Sequence, residues 1–149
     1  MTIRWLLATL HLFGLGIGLG SVFVRGRAFS RAQRPEDLSS VFVADNLWGL
    51  AALLWLSTGL LRAFGNFEKG TAYYLGHPLF HAKLGLFILV FLLELWPMVT
   101  LIRWRRMRAK NLEIDLTPVR RFSQISYIEG GIVCVIVFLA TALARGMFA

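Results

Sequence analysis

Three histidines and a lysine are the residues of this sequence best suited to binding a ligand. The stretch "GHPLFHAKLGLF" contains His77, His81 and Lys83 at the start of a long apolar run, and His11 lies in an earlier apolar run. Imidazole nitrogens bind haem iron, whereas an ammonium group attracts anions. His81 and Lys83 are two residues apart, so they point to nearly opposite sides of a helix. His77 directly precedes a proline, so we expect it before the helix, near water and dispensable.

Four long apolar stretches determine the predicted fold class. They cover residues 5–24, 41–62, 79–102 and 125–148 of the 149 residues, and 57% of the whole sequence is hydrophobic. Each stretch has the ~20 residues that an α-helix needs to cross a bilayer at ~1.5 Å per residue. The sequence therefore predicts one all-α domain over residues 1–149, a four-transmembrane-helix bundle in contact with the lipid bilayer.

Arginine and lysine are distributed unevenly over the connections between these stretches. Eleven of them follow the first and third stretches, whereas the opposite side carries only Arg4, Arg62, Lys69 and Arg145. Short loops rich in these residues remain in the cytoplasm. We therefore predict a multi-pass protein of the bacterial inner membrane with both termini outside. The same charges explain the sequence pI near 10.8 through contacts with anionic lipid, and no nucleic-acid partner is expected.

This orientation places a group of cationic and titratable residues in the outer half of the membrane or just above it: His11, Arg62, His81, Lys83 and Arg145. The only carboxylate expected near this layer is Glu68, in the loop, so we predict that these five residues bind an anionic or metal-bearing ligand. Two imidazoles hold the iron of a b-type haem, and we predict His11 and His81 as its metal ligands; a quinone is the other candidate. The alternative is that the basic side chains only extend to lipid phosphates.

The third apolar stretch has two polar faces, and each has a reason to face inward. His81 shares its side with Gly85, whose missing side chain permits a close neighbour. Lys83 shares the opposite side with Glu94, and charged groups within a membrane usually avoid lipid. We predict that His81 points inward toward His11 and that Lys83 leaves from the other side of the helix.

A glycine pattern in the first stretch, "GLGIGLG", predicts close packing. Gly14 and Gly18 share a face with His11, because seven residues return nearly to the same angle on a helix. Small residues four apart let another helix backbone or a flat ligand approach closely. We predict that Gly14 and Gly18 lie against a neighbouring helix, a cofactor, or a partner in a membrane complex or homo-oligomer.

Three carboxylates lie in the inner half of the predicted bundle. Asp45 and Glu129 are near the ends of their helices, where loop arginines are expected to neutralise them. Glu94 is deeper, and an isolated charge at that depth is costly. We expect Glu94 either to carry a proton or to pair with a residue of a neighbouring helix.

Several longer motifs resemble a known family. The segments "LLATLHLFGLGIGLG", "DNLWGLAALLWLSTGLLRAFGNFEKGTAYYLGHPLFHAKLGLF", "PMVTLIRWRR" and "ALARG" together look like a family of small four-helix bacterial membrane proteins classed as a domain of unknown function. This resemblance covers nearly the whole chain. It implies a fold and a membrane location, but no activity.

A more distant resemblance concerns two of the helices. "LH" at 10–11 and "FHAKLGL" at 80–86 are similar to helices of the HemJ-type protoporphyrinogen oxidases and of CopD-like copper-resistance membrane proteins. In the HemJ family these helices contribute to a haem-associated membrane site, so the resemblance implies that His11, His81 and Lys83 belong to such a site. The third stretch departs from this pattern, because it ends in "LLELWP" without the later histidine expected of HemJ.

The sequence contains no motif that indicates the mechanism of a soluble enzyme. It shows no Ser-His-Asp set, phosphate loop or HExxH motif, and its only cysteine, Cys134, cannot form an internal disulfide. We favour a small redox-associated membrane protein with an outer-leaflet haem or quinone site, and leave open whether it is an enzyme. The alternative is a non-catalytic subunit or assembly partner of a larger membrane complex. A proton path along Lys83 and Glu94 is a third hypothesis.

Overall fold

Helices form most of the described part of the chain, which comprises residues 2–65, 67 and 71–147 of a computed structural model. The long helices are α1 (Thr2–Arg31), α2 (Leu38–Phe64), α4 (Pro78–Ala109) and α5 (Val119–Ala144), and a short helix, α3 (Thr71–Gly76), lies between α2 and α4. Four helical segments, one containing each long helix, are long and apolar enough to cross a membrane. The predicted all-α fold with four transmembrane helices is therefore confirmed.

The bundle is packed closely on three of its sides. α1 packs against α2 and α5, and α4 packs against α5. Between α2 and α4, the described residues show no comparable backbone packing. Side chains join these two helices instead, as where Arg105 of α4 binds Asp45 of α2. The side between α2 and α4 is therefore the loosest part of the bundle.

The helices extend beyond the apolar stretches that predicted them. α1 continues from the predicted end at residue 24 to Arg31, and α4 continues from 102 to Ala109. An apolar window detects only the part of a helix inside hydrocarbon, whereas the backbone hydrogen bonds continue into the polar interface. Arg25, which the sequence analysis counts among loop charges, is consequently a helical residue.

Two helix ends are set by residues with a positive φ angle. Gly146 has φ 69° just after α5, and Asn111 has φ 53° just after α4. At the end of α5, Met147 N donates to Ala142 O at 3.1 Å, the hydrogen bond of a Schellman motif. α5 therefore ends at Ala144, before the predicted boundary at residue 148, which lies outside the described residues.

Three apolar clusters fill the bundle from one end to the other. The cluster at the basic end of the molecule includes Phe29, Leu101 and Phe122. A central cluster is built around Val22, Trp48, Val90 and Val133, and the third, at the opposite end, contains Ala63, Phe80 and Leu143. Most other large apolar side chains point outward, as expected for helices in contact with lipid.

Gly14 and Gly18 hold α1 against α2. A Cβ atom added to Gly14 would lie 3.1 Å from the backbone nitrogen of Trp55, and one added to Gly18 would lie 3.5 Å from the Ala51 side chain. The prediction that this face meets a neighbouring helix is confirmed. Because α2 covers both glycines, a partner chain cannot dock through them, which corrects the alternative of a complex or homo-oligomer formed through this face.

Candidate functional site

Two adjoining cavities, of about 240 and 280 Å³, lie at the end of the bundle where α1 begins and α5 ends. We call them together the His11 cavity. The residues that line both are His11, Trp55, Gly59, Ala63, Lys83 and Ala140. All four long helices contribute to this set. The larger cavity lies between α2 and α4, where the helices pack least closely.

The imidazole of His11 has a defined hydrogen-bond pattern. Its Nδ1 lies 2.9 Å from Thr58 Oγ1, and this hydroxyl donates its single proton to Leu54 O at 2.6 Å. With the hydroxyl proton assigned to Leu54 O, Thr58 Oγ1 accepts from His11, and we assign the imidazole proton to Nδ1. That tautomer has a lone pair on Nε2, which is a base available to a hydrogen-bond donor or a metal.

Trp55 is a wall residue of both cavities and carries an unsatisfied donor. Its indole Nε1 is buried and has no hydrogen-bond partner among the described residues. The indole lies beside His11 and Phe87, with ring centroids 5.8 and 5.9 Å away. Buried donors are nearly always paired in folded proteins, so this unpaired N–H on a cavity-lining residue requires an explanation.

Lys83 and Arg62 make this region cationic. Lys83 is half-buried in the cavity wall, and its Nζ lies 5.3 Å from the ring centroid of Phe80, within cation–π distance. Within the described part of the chain Lys83 forms no salt bridge. Arg62 lines the smaller of the two cavities. The structure therefore brings three of the predicted site residues together: His11, Arg62 and Lys83.

His81 lies elsewhere, which corrects the predicted orientation of this helix. Its side chain is exposed, its Nε2 is 2.8 Å from Leu75 O, and it lines neither cavity. The Lys83 and Glu94 face turns inward instead, because Glu94 pairs there with an arginine and Lys83 is withdrawn from lipid into the cavity wall. A haem b ligated by both His11 and His81 does not fit this arrangement.

His77 and Arg145 also occupy positions that the sequence did not indicate. His77 caps α4, accepting a hydrogen bond from Leu79 N at 3.3 Å, but its side chain is only 4% exposed and lies against the Tyr73 ring. Its predicted location near water is therefore wrong. Arg145 is the exposed residue that follows α5, and it lines neither cavity.

A second polar site, missed by the sequence analysis, surrounds Arg25. The guanidinium is fully buried and uses all five of its N–H groups. Nε donates to Ser126 Oγ at 3.1 Å, and the other four N–H groups reach carboxylates. Those contacts are to Asp45 Oδ1 at 2.9 Å, Glu94 Oε1 and Oε2 at 2.8 and 2.6 Å, and Glu129 Oε2 at 2.7 Å. Arg25 thereby joins residues of all four long helices.

Two further donors complete this site, which we call the Arg25 cluster. Arg105 Nη2 donates to Asp45 Oδ2 at 2.8 Å, and Trp48 Nε1 donates to Glu94 Oε2 at 3.1 Å. Of the two alternatives expected for Glu94, pairing with a residue of a neighbouring helix is confirmed. One sequence signal for Arg25 was present: it follows Gly18 by seven residues and so shares the buried glycine face of α1.

Comparison with known proteins identifies the family of this chain. A family model described as "Predicted membrane protein (DUF2214)" matches residues 3–148, so the chain belongs to that family. No curated protein and no solved structure shows significant similarity to it. The resemblance to a small membrane family is thus confirmed, and the more distant resemblance to HemJ-type and CopD-like proteins stays a prediction.

Proposed function

We propose that this membrane protein binds a quinone or quinol in the His11 cavity and takes part in redox chemistry at the membrane. The observation that supports the proposal best is the buried indole N–H of Trp55, which has no partner among the described residues. An unpaired buried donor costs about 1–3 kcal/mol. A ligand oxygen that accepts this hydrogen would remove the cost.

The polar groups of the cavity match both oxidation states of a quinone ring. A quinone carbonyl accepts hydrogen bonds, and Trp55 Nε1 and Lys83 Nζ are donors. A quinol hydroxyl donates a hydrogen bond, and the lone pair on His11 Nε2 is the matching acceptor. A purely apolar lipid tail would leave these groups unsatisfied, so a ring that carries oxygens fits the cavity better.

The apolar lining of the larger cavity suits the tail of such a ligand. Leu60 and Phe64 of α2 face Leu84 and Phe87 of α4 across it. α2 and α4 are also the neighbouring helices that pack least closely. We infer that a lipophilic ligand enters between them from the bilayer, with its ring toward His11 and its tail toward the lipid.

Calorimetric titration of the protein in nanodiscs with a short-tailed ubiquinone analogue tests the proposal. We expect saturable binding that weakens about five- to tenfold in Trp55→Phe, the equivalent of one lost hydrogen bond of ~1–1.5 kcal/mol. Trp5→Phe is the matched control, because Trp5 is 66% exposed on the same end of α1. Absence of saturable binding, or equal affinity in Trp55→Phe and the wild type, would refute a quinone site.

Two other ligands give different results in the same preparation. A fatty acid held by its carboxylate would lose most of its affinity in Lys83→Met and would not be displaced by the quinone analogue. A haem bound through one imidazole would give a Soret band that disappears in His11→Ala. Either result would replace the quinone in this cavity.

The proposal includes the location of the protein and of its cavity in the membrane. We infer that the protein lies in a bacterial inner membrane with the His11 cavity in its outer half, since the arginine-rich ends of α1 and α4 lie at the opposite end of the bundle. The sequence also allowed a non-catalytic subunit of a larger complex. With Gly14 and Gly18 covered by α2, the remaining surface for such a partner is the second face of α4, which carries the exposed His81.

A further inference from the structure

We propose that the Arg25 cluster is a proton-binding site, in which Glu129 holds one exchangeable proton. This inference concerns the opposite end of the bundle from the His11 cavity and does not depend on the quinone. Arg25 follows His11 by fourteen residues, which corresponds to ~21 Å along α1. The central apolar cluster around Val22 and Trp48 separates the two sites.

The formal charges of the cluster do not balance. Each of the four long helices contributes to it: Arg25 from α1, Asp45 from α2, Glu94 and Arg105 from α4, and Glu129 from α5. Three carboxylates thus face two guanidinium groups, which leaves one negative charge in excess among the described residues. Uncompensated charge inside a membrane protein is costly, and binding one proton removes it.

The hydrogen bonds show which of the three carboxyl groups is least stabilised as an anion. Glu94 accepts two bonds from Arg25 and a third from Trp48. Asp45 has one oxygen on Arg25 and the other on Arg105. Both carboxylates are therefore fully stabilised as anions.

Glu129 is different, although it is the most deeply buried of the three. Its Oε2 accepts from Arg25, but its Oε1 is buried without a hydrogen-bond partner among the described residues. An anionic oxygen in that position would have neither water nor a donor to stabilise it, whereas a neutral carboxylic acid carries far less charge there. The excess proton therefore belongs on Glu129.

Exposure differs between the members of the cluster. The Glu129 side chain is 0% exposed, that of Asp45 is 13% exposed, and that of Arg105 is 33% exposed. Exposure thus rises from Glu129 toward the basic end of α4. A metal ion is not the better occupant: the Arg25 guanidinium fills the space between the carboxylates, and the described residues form no metal-binding group of three acidic, histidine or cysteine side chains.

Infrared spectroscopy of the protein in lipid bilayers at neutral pH tests the inference directly. We expect a carboxylic-acid C=O band that shifts when the glutamates are labelled with ¹³C and shifts again in D₂O, as an exchangeable O–H requires. The band should disappear in Glu129→Gln and persist in Glu36→Gln, an exposed glutamate at the same end of the molecule. A spectrum of wild-type protein that contains only carboxylate bands, or an acid band unaffected by ¹³C-glutamate, contradicts the proposal.

Thermal unfolding separates a proton site from a purely structural ion pair. Glutamine has the shape of a protonated glutamic acid, so Glu129→Gln should leave the unfolding midpoint unchanged. Asp45→Asn removes an anion held between two guanidinium groups and should lower the midpoint. Equal losses in both variants would mean that Glu129 is ionised. Because the labelled wild-type spectrum requires no substitution, a spectrum with only carboxylate bands contradicts the proposal even if a variant fails to fold.

Discussion

At the scale of single residues, Arg25 shows how a charge can lie inside a membrane bundle. Its five N–H groups each have an acceptor, and those acceptors come from α2, α4 and α5. Lysine has three donors on one nitrogen and could not reach acceptors arranged around a planar fork. The position therefore requires arginine for its geometry as well as for its charge.

His77 provides a prediction at this scale. Replacing His77 with alanine should lower the free energy of unfolding by about 0.5–2 kcal/mol, because α4 loses the side chain that caps its first turn. Thermal unfolding in a defined detergent measures the change. His81→Ala is the matched control, and it should have a smaller effect because the His81 side chain is exposed. Equal stability of the two variants would mean that the buried cap contributes nothing.

At the scale of elements, the inward face of α4 is decided by charge. His81 and Lys83 are placed almost back to back by helical geometry, so only one of them can line the His11 cavity. Lys83 and Glu94 share a face, and each has a place in the interior: Lys83 in the cavity wall and Glu94 in the Arg25 cluster. Turning that face outward would place two charged side chains in lipid, whereas turning His81 outward exposes one neutral imidazole.

The contact between α1 and α2 gives a prediction at the scale of elements. Gly14→Leu should reduce the yield of folded protein and its unfolding midpoint, because the new side chain must displace the α2 backbone at Trp55. Gly16→Leu is the matched control, since nothing lies within 4 Å of a Cβ atom at Gly16. Yield and melting are measured for both variants in the same detergent. A Gly14→Leu variant that melts like Gly16→Leu would show that this helix contact tolerates separation.

At the scale of the whole molecule, two polar sites lie at opposite ends of one bundle. The His11 cavity has apolar walls with unsatisfied or cationic groups, whereas the Arg25 cluster is a dense set of charged hydrogen bonds. The cluster ties together the helices that pack least closely, because Arg25 and Arg105 both bridge α2 and α4. Charged hydrogen bonds thus join α2 and α4 at the basic end of the bundle, whereas the larger cavity lies between the same two helices at the other end.

The orientation in the membrane is the prediction at this scale. We expect both termini outside. Eleven arginine and lysine residues follow the first and third apolar stretches, and ten of them remain once the buried Arg25 is excluded. Loops and helix ends rich in these residues stay in the cytoplasm. Reporter fusions at the C-terminus and between residues 110 and 118 test it. A cytoplasmic signal from the C-terminal fusion would contradict this topology and would place the His11 cavity in the inner leaflet.

The sequence by itself determined the number of membrane helices, their approximate positions and the packing of Gly14 and Gly18. These features depend on apolar length and on the periodicity of a single helix, and both can be read along one segment. It also indicated that Glu94 would either carry a proton or pair with a residue of a neighbouring helix. His11, Arg62 and Lys83 were correctly grouped at one end of the bundle.

Only the tertiary structure decided which face of α4 turns inward and which residues meet across helices. Periodicity gives the angle between His81 and Lys83 but not the rotation of the helix, which depends on partners supplied by other segments. Arg25 looked like a loop charge because an arginine beside an apolar stretch usually meets water or lipid phosphate. Its burial depends on three carboxylates that are distant in sequence, and only the folded bundle brings them to one guanidinium group.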